Sequence, residues 1–105
     1  MVMHMEDLPN YIELCGFSEI DQNSMTTVRR MVGNYARKLE DHCEQFERLK
    51  LTLKNIHKSD DHPGRFELHG KLIDNGKSYA SEAIDQDLFI SLNLAMKKLE
   101  ASISR

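Results

Sequence analysis

The sequence predicts an α+β fold, a two-layer sandwich in which two helices cover one face of a four-stranded mixed sheet in the order β-α-β-β-β-α. Two segments carry apolar residues at steps of three and four, which is the period of an amphipathic helix. Between them the apolar period falls to two, as in half-buried strands. Packing in two layers covers the apolar stripe of each helix and the apolar face of each strand.

Length and composition restrict the chain to one small domain. The protein has 105 residues and a net charge of −3, so any nucleic-acid binding requires local clusters of Lys and Arg. Residues 1–10 lack the features of a secretory signal and are predicted to be a flexible tail before a domain at 11–105. No apolar run reaches the roughly 20 residues of a membrane span. We therefore expect a cytoplasmic protein without membrane contact, with Cys15 and Cys43 reduced.

The first half of the chain predicts a strand followed by a long helix. Residues 11–17 read as a strand that turns Ile12 and Leu14 to one side and ends near Gly16. Residues 21–24 are types that begin helices. The apolar stripe of the helix that follows comprises Met25, Val28, Val32, Tyr35, Leu39, Cys43 and Phe46. A crossover through such a helix joins two parallel neighbouring strands.

Three strands in an antiparallel meander are predicted next. Residues 48–54 alternate strictly and turn Leu49, Leu51 and Leu53 inward, and residues 65–72 alternate again after a polar loop at 57–64. Asn75 and Gly76 favour a two-residue type I′ hairpin turn. Such a turn pairs Asp74 with Lys77, Leu72 with Tyr79, Gly70 with Ser81 and Leu68 with Ala83.

The last predicted helix occupies residues 85–105. One face carries Leu88, Leu92, Ala95 and Leu99, and Asp85 or Asp87 can accept backbone N–H groups at its start. Ile90 and Leu94 point away from this face. Either they pack against the first helix, or they form a surface for a partner.

Few residues suggest catalysis or metal binding. The sequence lacks a Gly-rich phosphate loop and the common hydrolase motifs, so we expect no enzyme activity, no catalytic residues and no cofactor. The residues that invite a metal hypothesis are His57, Asp60, Asp61, His62 and His69. Their spacing fits no zinc or EF-hand pattern, and a polar hairpin loop explains them better.

Basic side chains are the strongest functional signal. The outward face of the sheet carries Arg48, Lys50, Thr52, Lys54, Arg65, Glu67, His69 and Lys71, flanked by Glu13 and Glu82. A solvated face with cross-strand ion pairs is the favoured interpretation, and a phosphate-binding surface is the alternative. On the first helix Arg30 and Arg37 share the solvent stripe, with Arg29 and Lys38 on opposite flanks.

Four segments resemble the ribosome hibernation promoting factor family, also called ribosome-associated inhibitor A or the sigma modulation protein family. They are the strand at residues 12–16, the helical residues 28–29, 32 and 38–40, the turn at 74–76, and residues 87–89, 92–93 and 98–100 of the last helix. The last segment, with its Asp-Leu-Phe start and later Lys-Leu-Glu, is the most specific. The resemblance covers residues 11–105 and is to the short form of the family.

The resemblance implies a non-enzymatic factor that binds small-subunit rRNA in the tRNA and mRNA channel and blocks translation in resting or stressed cells. Family members use basic residues on the helices against phosphates. The matching positions are Arg29, Lys38, Lys98 and Arg105, to which we add Arg30, Arg37 and Lys97 as neighbours.

Three features depart from the family pattern. Phe17 and Ala101 stand where basic or polar residues are common in the family, and the whole chain is acidic. These departures favour an alternative, which is a protein-interaction module or homodimer of the same fold that pairs through Ile90 and Leu94.

Overall fold

A computed structural model describes residues 8–56 and 64–103 of the chain. In chain order, the elements are β1 (Ile12–Cys15), α1 (Gln22–His42), β2 (Phe46–Ile56), β3 (Arg65–Asp74), β4 (Lys77–Asp85) and α2 (Leu88–Ile103). The strands form one four-stranded sheet in the order β1-β2-β3-β4. β1 is parallel to β2, and the other two pairings are antiparallel. The predicted α+β sandwich with a mixed sheet is confirmed.

The core lies between the helices and one face of the sheet. Leu49, Leu51 and Leu53 of β2 are buried, as the alternation predicts. Against them pack Val28, Val32 and Leu39 of α1 together with Leu88, Leu92, Ala95, Met96 and Leu99 of α2. Because both helices bury their apolar stripes on this face, every second residue of each strand points to the opposite, open face.

The hairpin between β3 and β4 has the predicted register. Asp74 pairs with Lys77, Leu72 with Tyr79, Gly70 with Ser81 and Leu68 with Ala83. Asn75 and Gly76 both have positive φ, at 50° and 80°, as a type I′ turn requires. The turn therefore sets which side chains of β4 face the helices.

The end of α1 differs from the prediction. The apolar stripe extends to Cys43 and Phe46, but the helix ends at His42, Cys43 is its C-cap and Phe46 is the first residue of β2. The physical reason is Asp74, whose carboxylate accepts the backbone N–H groups of Glu44 at 3.3 Å and Gln45 at 2.7 Å. These hydrogen bonds hold the chain in an extended path toward β2.

The start of the described chain packs onto the domain. Leu8 contacts the core cluster and lies near Gly33 of α1, and the N–H of Ile12 donates to the carbonyl of Pro9 at 3.1 Å. Residues 1–7, most of the 57–64 loop and Arg105 lie outside the described residues. The predicted division into a tail at 1–10 and a domain at 11–105 stays a prediction.

Candidate nucleic-acid interface

Six of the seven predicted RNA-binding residues lie on the helix layer. The seventh, Arg105, is outside the described residues. Arg30 and Arg37 lie two turns apart on the outer surface of α1, and both are exposed. Seven residues correspond to almost two full turns, so the two guanidinium groups point the same way. They form the start of a basic strip along α1.

Lys38 lies toward α2. Its ammonium group sits 5.3 Å from the centre of the Tyr35 ring, a cation–π arrangement that restrains the lysine. The Tyr35 hydroxyl donates in turn to Oδ1 of Asn93 on α2. Burial and, secondarily, the charge of Glu100 raise the pKa of Tyr35, which keeps this hydroxyl protonated as a donor. The bond ties the two helices together.

Lys97 lies one turn beyond Asn93 on α2, and Lys38 lies one turn beyond Tyr35 on α1. The two helices run in the same direction, because β1 and β4 are both parallel to β2 and each helix packs back along the sheet. The two lysines are therefore on the same side of the Tyr35–Asn93 bond. The structure brings Arg30, Arg37, Lys38 and Lys97 to one surface, which we call the helix-layer strip.

Lys98 points elsewhere. Its Nζ donates to the backbone carbonyl of Glu82 at 2.6 Å, on β4 at the edge of the sheet. A charged side chain over an edge strand hinders further strand pairing. Lys98 therefore lies at the flank away from α1 and is engaged in a structural bond, although it stays exposed.

Arg29 lies at the opposite flank. It lines an open cleft of about 700 Å³ beside the loop that joins β1 to α1. Gln22 and Thr26 of α1 and Ser18 of the loop add polar groups to the same cleft. Arg29 is thus separated from Lys98 by the full width of the helix layer, and the predicted residues form a central strip with two outlying members.

The six helix-layer cations form no close ion pair with an acid among the described residues. Within residues 8–56 and 64–103, none of them lies within 4.0 Å of a carboxylate oxygen. On the open face of the sheet, by contrast, Arg48 bonds Glu13 at 2.5 Å and His69 bonds Glu67 at 2.5 Å. Within this part of the chain, the helix layer therefore presents cations without a close ion-pair partner in a protein whose total charge is −3.

Sequence reasoning missed two residues of this surface. Tyr35 was assigned to the core, and Asn93 had no assigned role, yet together they set the position of Lys38. The spacing of Lys38 three residues after Tyr35 is the signal that could have indicated a stacked pair. The contact to Asn93 joins residues 58 apart in sequence, so local pattern could not reveal it.

The candidate metal ligand His69 and the two cysteines are not arranged for metal binding or for catalysis among the described residues. His69 lies on β3 between Glu67 and Glu82, and the described residues hold no group of three His, Cys, Asp or Glu placed for a metal ion. Burial raises the pKa of Cys43 to about 11, and a hydrogen bond to Glu13 raises that of Cys15. Both thiols are therefore protonated and weakly nucleophilic near neutral pH.

Two solved structures have similar folds. The Thermus thermophilus Protein Y N-terminal domain aligns with a TM-score of 0.61 and 18% identity over 90% of this chain and 94% of its own. A ribosomal subunit interface protein from Coxiella burnetii aligns with a TM-score of 0.58 and 14% identity over 89% and 92%. No protein-family model and no curated protein matches this sequence. None of the described helices is long and apolar enough to cross a membrane.

Proposed function

We propose that this protein is a non-enzymatic, cytoplasmic factor that binds the small ribosomal subunit through rRNA phosphates and blocks translation at the decoding and tRNA sites. The observation that carries the proposal is the helix-layer strip, whose four cations share one surface and lie in no ion pair shorter than 4.0 Å among the described residues. The similarity in fold to a protein named as a ribosomal subunit interface protein supports a ribosomal partner.

The chemistry of the proposed contact is charge neutralisation. Arg30 and Arg37 present planar guanidinium groups that can each take two hydrogen bonds to a phosphate. Lys38 of α1 and Lys97 of α2 add point charges beside the Tyr35–Asn93 contact. Because that bond ties the two helices together, the strip would meet the RNA in a preformed arrangement, which lowers the entropy cost of binding.

The test is co-sedimentation with purified small ribosomal subunits at low salt. We expect the wild-type protein to bind, and the double variant Arg30→Glu, Arg37→Glu to lose at least tenfold in affinity, since both phosphate contacts become repulsive. The matched control is Lys54→Glu, Arg65→Glu, which changes the net charge equally on the open face of the sheet. Equal loss in both variants, or no wild-type binding at low salt, would contradict the proposal.

One observation favours the alternative of a protein-interaction module. Ile90 and Leu94 are 49% and 40% exposed and lie one turn apart on the outer surface of α2. They stay outside the packed core, so the sequence-based option that they pack against α1 is not what the fold uses. A pairing of two copies through these residues stays a prediction, and absence of ribosome binding would favour it.

A further inference from the structure

The open face of the sheet pairs most of its charges across strands. Lys54 lies opposite Glu67, His69 lies opposite Glu82, and Arg48 bonds Glu13 of β1. Opposite charges at such positions stabilise a sheet, and like charges destabilise it. This part of the face agrees with the interpretation of a solvated surface with cross-strand ion pairs.

One row of the face breaks this rule. Lys50 of β2 lies directly opposite Lys71 of β3. On the far side of Lys71 the next residue in the row is Ala80, which has no charge. On the far side of Lys50 is Glu13, whose carboxylate already accepts hydrogen bonds from Arg48 and Cys15. In this region of the described chain, Arg48, Lys50 and Lys71 therefore have one carboxylate among them, that of Glu13.

The surface around the two lysines is concave. A depression of about 200 Å³ is lined by Lys50 and Lys71 together with Ile73 and the Arg48–Glu13 ion pair. A second one of about 300 Å³ shares the same two lysines and adds Thr52, His69 and the small residue Ala80. Lys50 and Lys71 thus stand between two adjoining hollows that also carry a guanidinium paired with a carboxylate, a hydroxyl and an imidazole group.

We propose that the open face holds a second anion site, centred on Lys50 and Lys71, which binds a ligand with two linked phosphate groups. A multiply charged anion relieves the repulsion between the two ammonium groups and accepts their hydrogen bonds. Two phosphates match two adjoining hollows with a cationic boundary between them. The linked phosphates belong either to a small molecule with a diphosphate or to successive nucleotides of an RNA strand.

The site is separate from the helix-layer strip. The two surfaces lie on opposite faces of the two-layer sandwich, with the buried core between them. The inference therefore goes beyond the proposed ribosome contact, and either can fail without the other. The protein would carry anion-binding surfaces on both faces despite its acidic total.

The test is titration of the full-length protein with inorganic pyrophosphate at constant ionic strength, followed by calorimetry and backbone amide NMR. We expect shifts at the Lys50 and Lys71 amides, and a loss of about tenfold or more in affinity in the double variant Lys50→Thr, Lys71→Thr. The charge-matched control is Lys54→Thr, Arg65→Thr on the same two strands. Undetectable binding, or equal loss in both variants, overturns the proposal.

A second measurement uses stability without any ligand. Removing the like-charge pair with Lys71→Thr relieves repulsion, so Tm in chloride buffer should rise by about 1–4 °C. Pyrophosphate should raise the Tm of the wild-type protein more than that of this variant. A fall in Tm for Lys71→Thr together with an undiminished response to pyrophosphate would contradict the site.

An RNA oligonucleotide with hydroxyl groups at both ends distinguishes the two sources of phosphate, because all of its phosphates are internal. Binding that depends on Lys50 and Lys71 and competes with pyrophosphate identifies internal RNA phosphates as the ligand. Pyrophosphate binding without oligonucleotide binding at this site identifies a small diphosphate ligand. The variant Arg30→Glu, Arg37→Glu should retain its pyrophosphate affinity within about twofold, which keeps this result distinct from the ribosome test.

Discussion

Gly16 is the residue where the backbone tolerates least change. Its φ is +82°, in the region that side chains rarely adopt. A Cβ atom there would lie 2.2 Å from the carbonyl oxygen of Leu53. Gly16 thus ends β1 where the chain crosses close to β2, which confirms the sequence-based expectation that the strand ends there.

Substitution of Gly16 and of Gly76 by Ala separates the cost of the backbone conformation from the cost of the close approach to Leu53. Gly76 has a φ of +80° but open space around its notional Cβ. We expect Gly76→Ala to lower the free energy of unfolding by about 1–2 kcal/mol from the left-handed backbone alone. Gly16→Ala adds a clash with backbone and should cost about 3 kcal/mol or more. Urea unfolding measures both, and equal losses would contradict the close approach to Leu53.

Phe17 packs into the core at a position where the sequence resemblance implies a polar surface residue. In the resemblance drawn from the sequence, it stands where a basic or polar residue is common. In the structure its side chain is only 6% exposed and belongs to the core cluster. The absence of a charge here is therefore a packing requirement of this chain. Ala101, the other departure, is exposed and has no such explanation.

Helix α2 begins where a side chain can accept hydrogen bonds from backbone N–H groups that have no partner within the helix. Oδ1 of Asp87 accepts the N–H groups of Phe89 at 2.8 Å and Ile90 at 3.2 Å. Asp85 accepts the N–H of Asp87 at 2.8 Å and so orders the residue before the helix. Both carboxylates suggested by the sequence therefore contribute to the start of the helix. Asp87 caps the helix, and Asp85 bonds the N–H of Asp87.

The cap of α2 gives a prediction for stability. Asp87→Ala removes the acceptor for two backbone donors and should lower the free energy of unfolding by about 1 kcal/mol. Asp87→Asn should retain most of it, because Asn is an equally good N-cap. Gln86→Ala, at an exposed neighbouring position, is the control. Thermal unfolding followed by circular dichroism measures all three, and an Asp87→Ala variant as stable as wild type would refute the cap.

At the scale of the whole molecule, the two layers differ in how their cations are paired. Within the described residues, the helix-layer cations lie in no ion pair shorter than 4.0 Å, while the open face of the sheet carries cross-strand ion pairs around one basic exception. A net charge of −3 therefore does not describe the field near α1 and α2. The proposed binding to RNA depends on this local field, because only phosphates within a Debye length of about 8 Å interact strongly at physiological salt.

The salt dependence of the proposed ribosome binding tests quantitatively whether the α1 arginines contact phosphate. Each phosphate contact releases counterions and contributes about 0.7–0.9 to the slope of log affinity against log salt. We expect Arg30→Ala, Arg37→Ala to flatten that slope by about 1.4–1.8, and Lys54→Ala, Arg65→Ala to leave it unchanged. Filter binding or sedimentation over a salt series gives the slopes. Identical slopes for all three proteins would mean that the α1 arginines do not touch phosphate.

The elements and their order could be predicted from local sequence pattern. Periods of 3.6 and 2 follow from backbone geometry, and the Asn75–Gly76 turn sets the register of β3 against β4 within a few residues. Such local signals need no knowledge of distant contacts. The end of α1 escaped prediction because Asp74, about 30 residues away, holds the chain there.

Which charges lie near one another depends on the packing of the elements and could not be predicted from the sequence. Lys38 joins Lys97 because Tyr35 bonds Asn93, Lys98 turns away to the carbonyl of Glu82, and Lys50 faces Lys71 through strand pairing. Each of these depends on contacts between elements far apart in sequence. Charge acts over distances of a few ångströms in space, so the pattern of cations along the chain cannot reveal its arrangement on the folded surface.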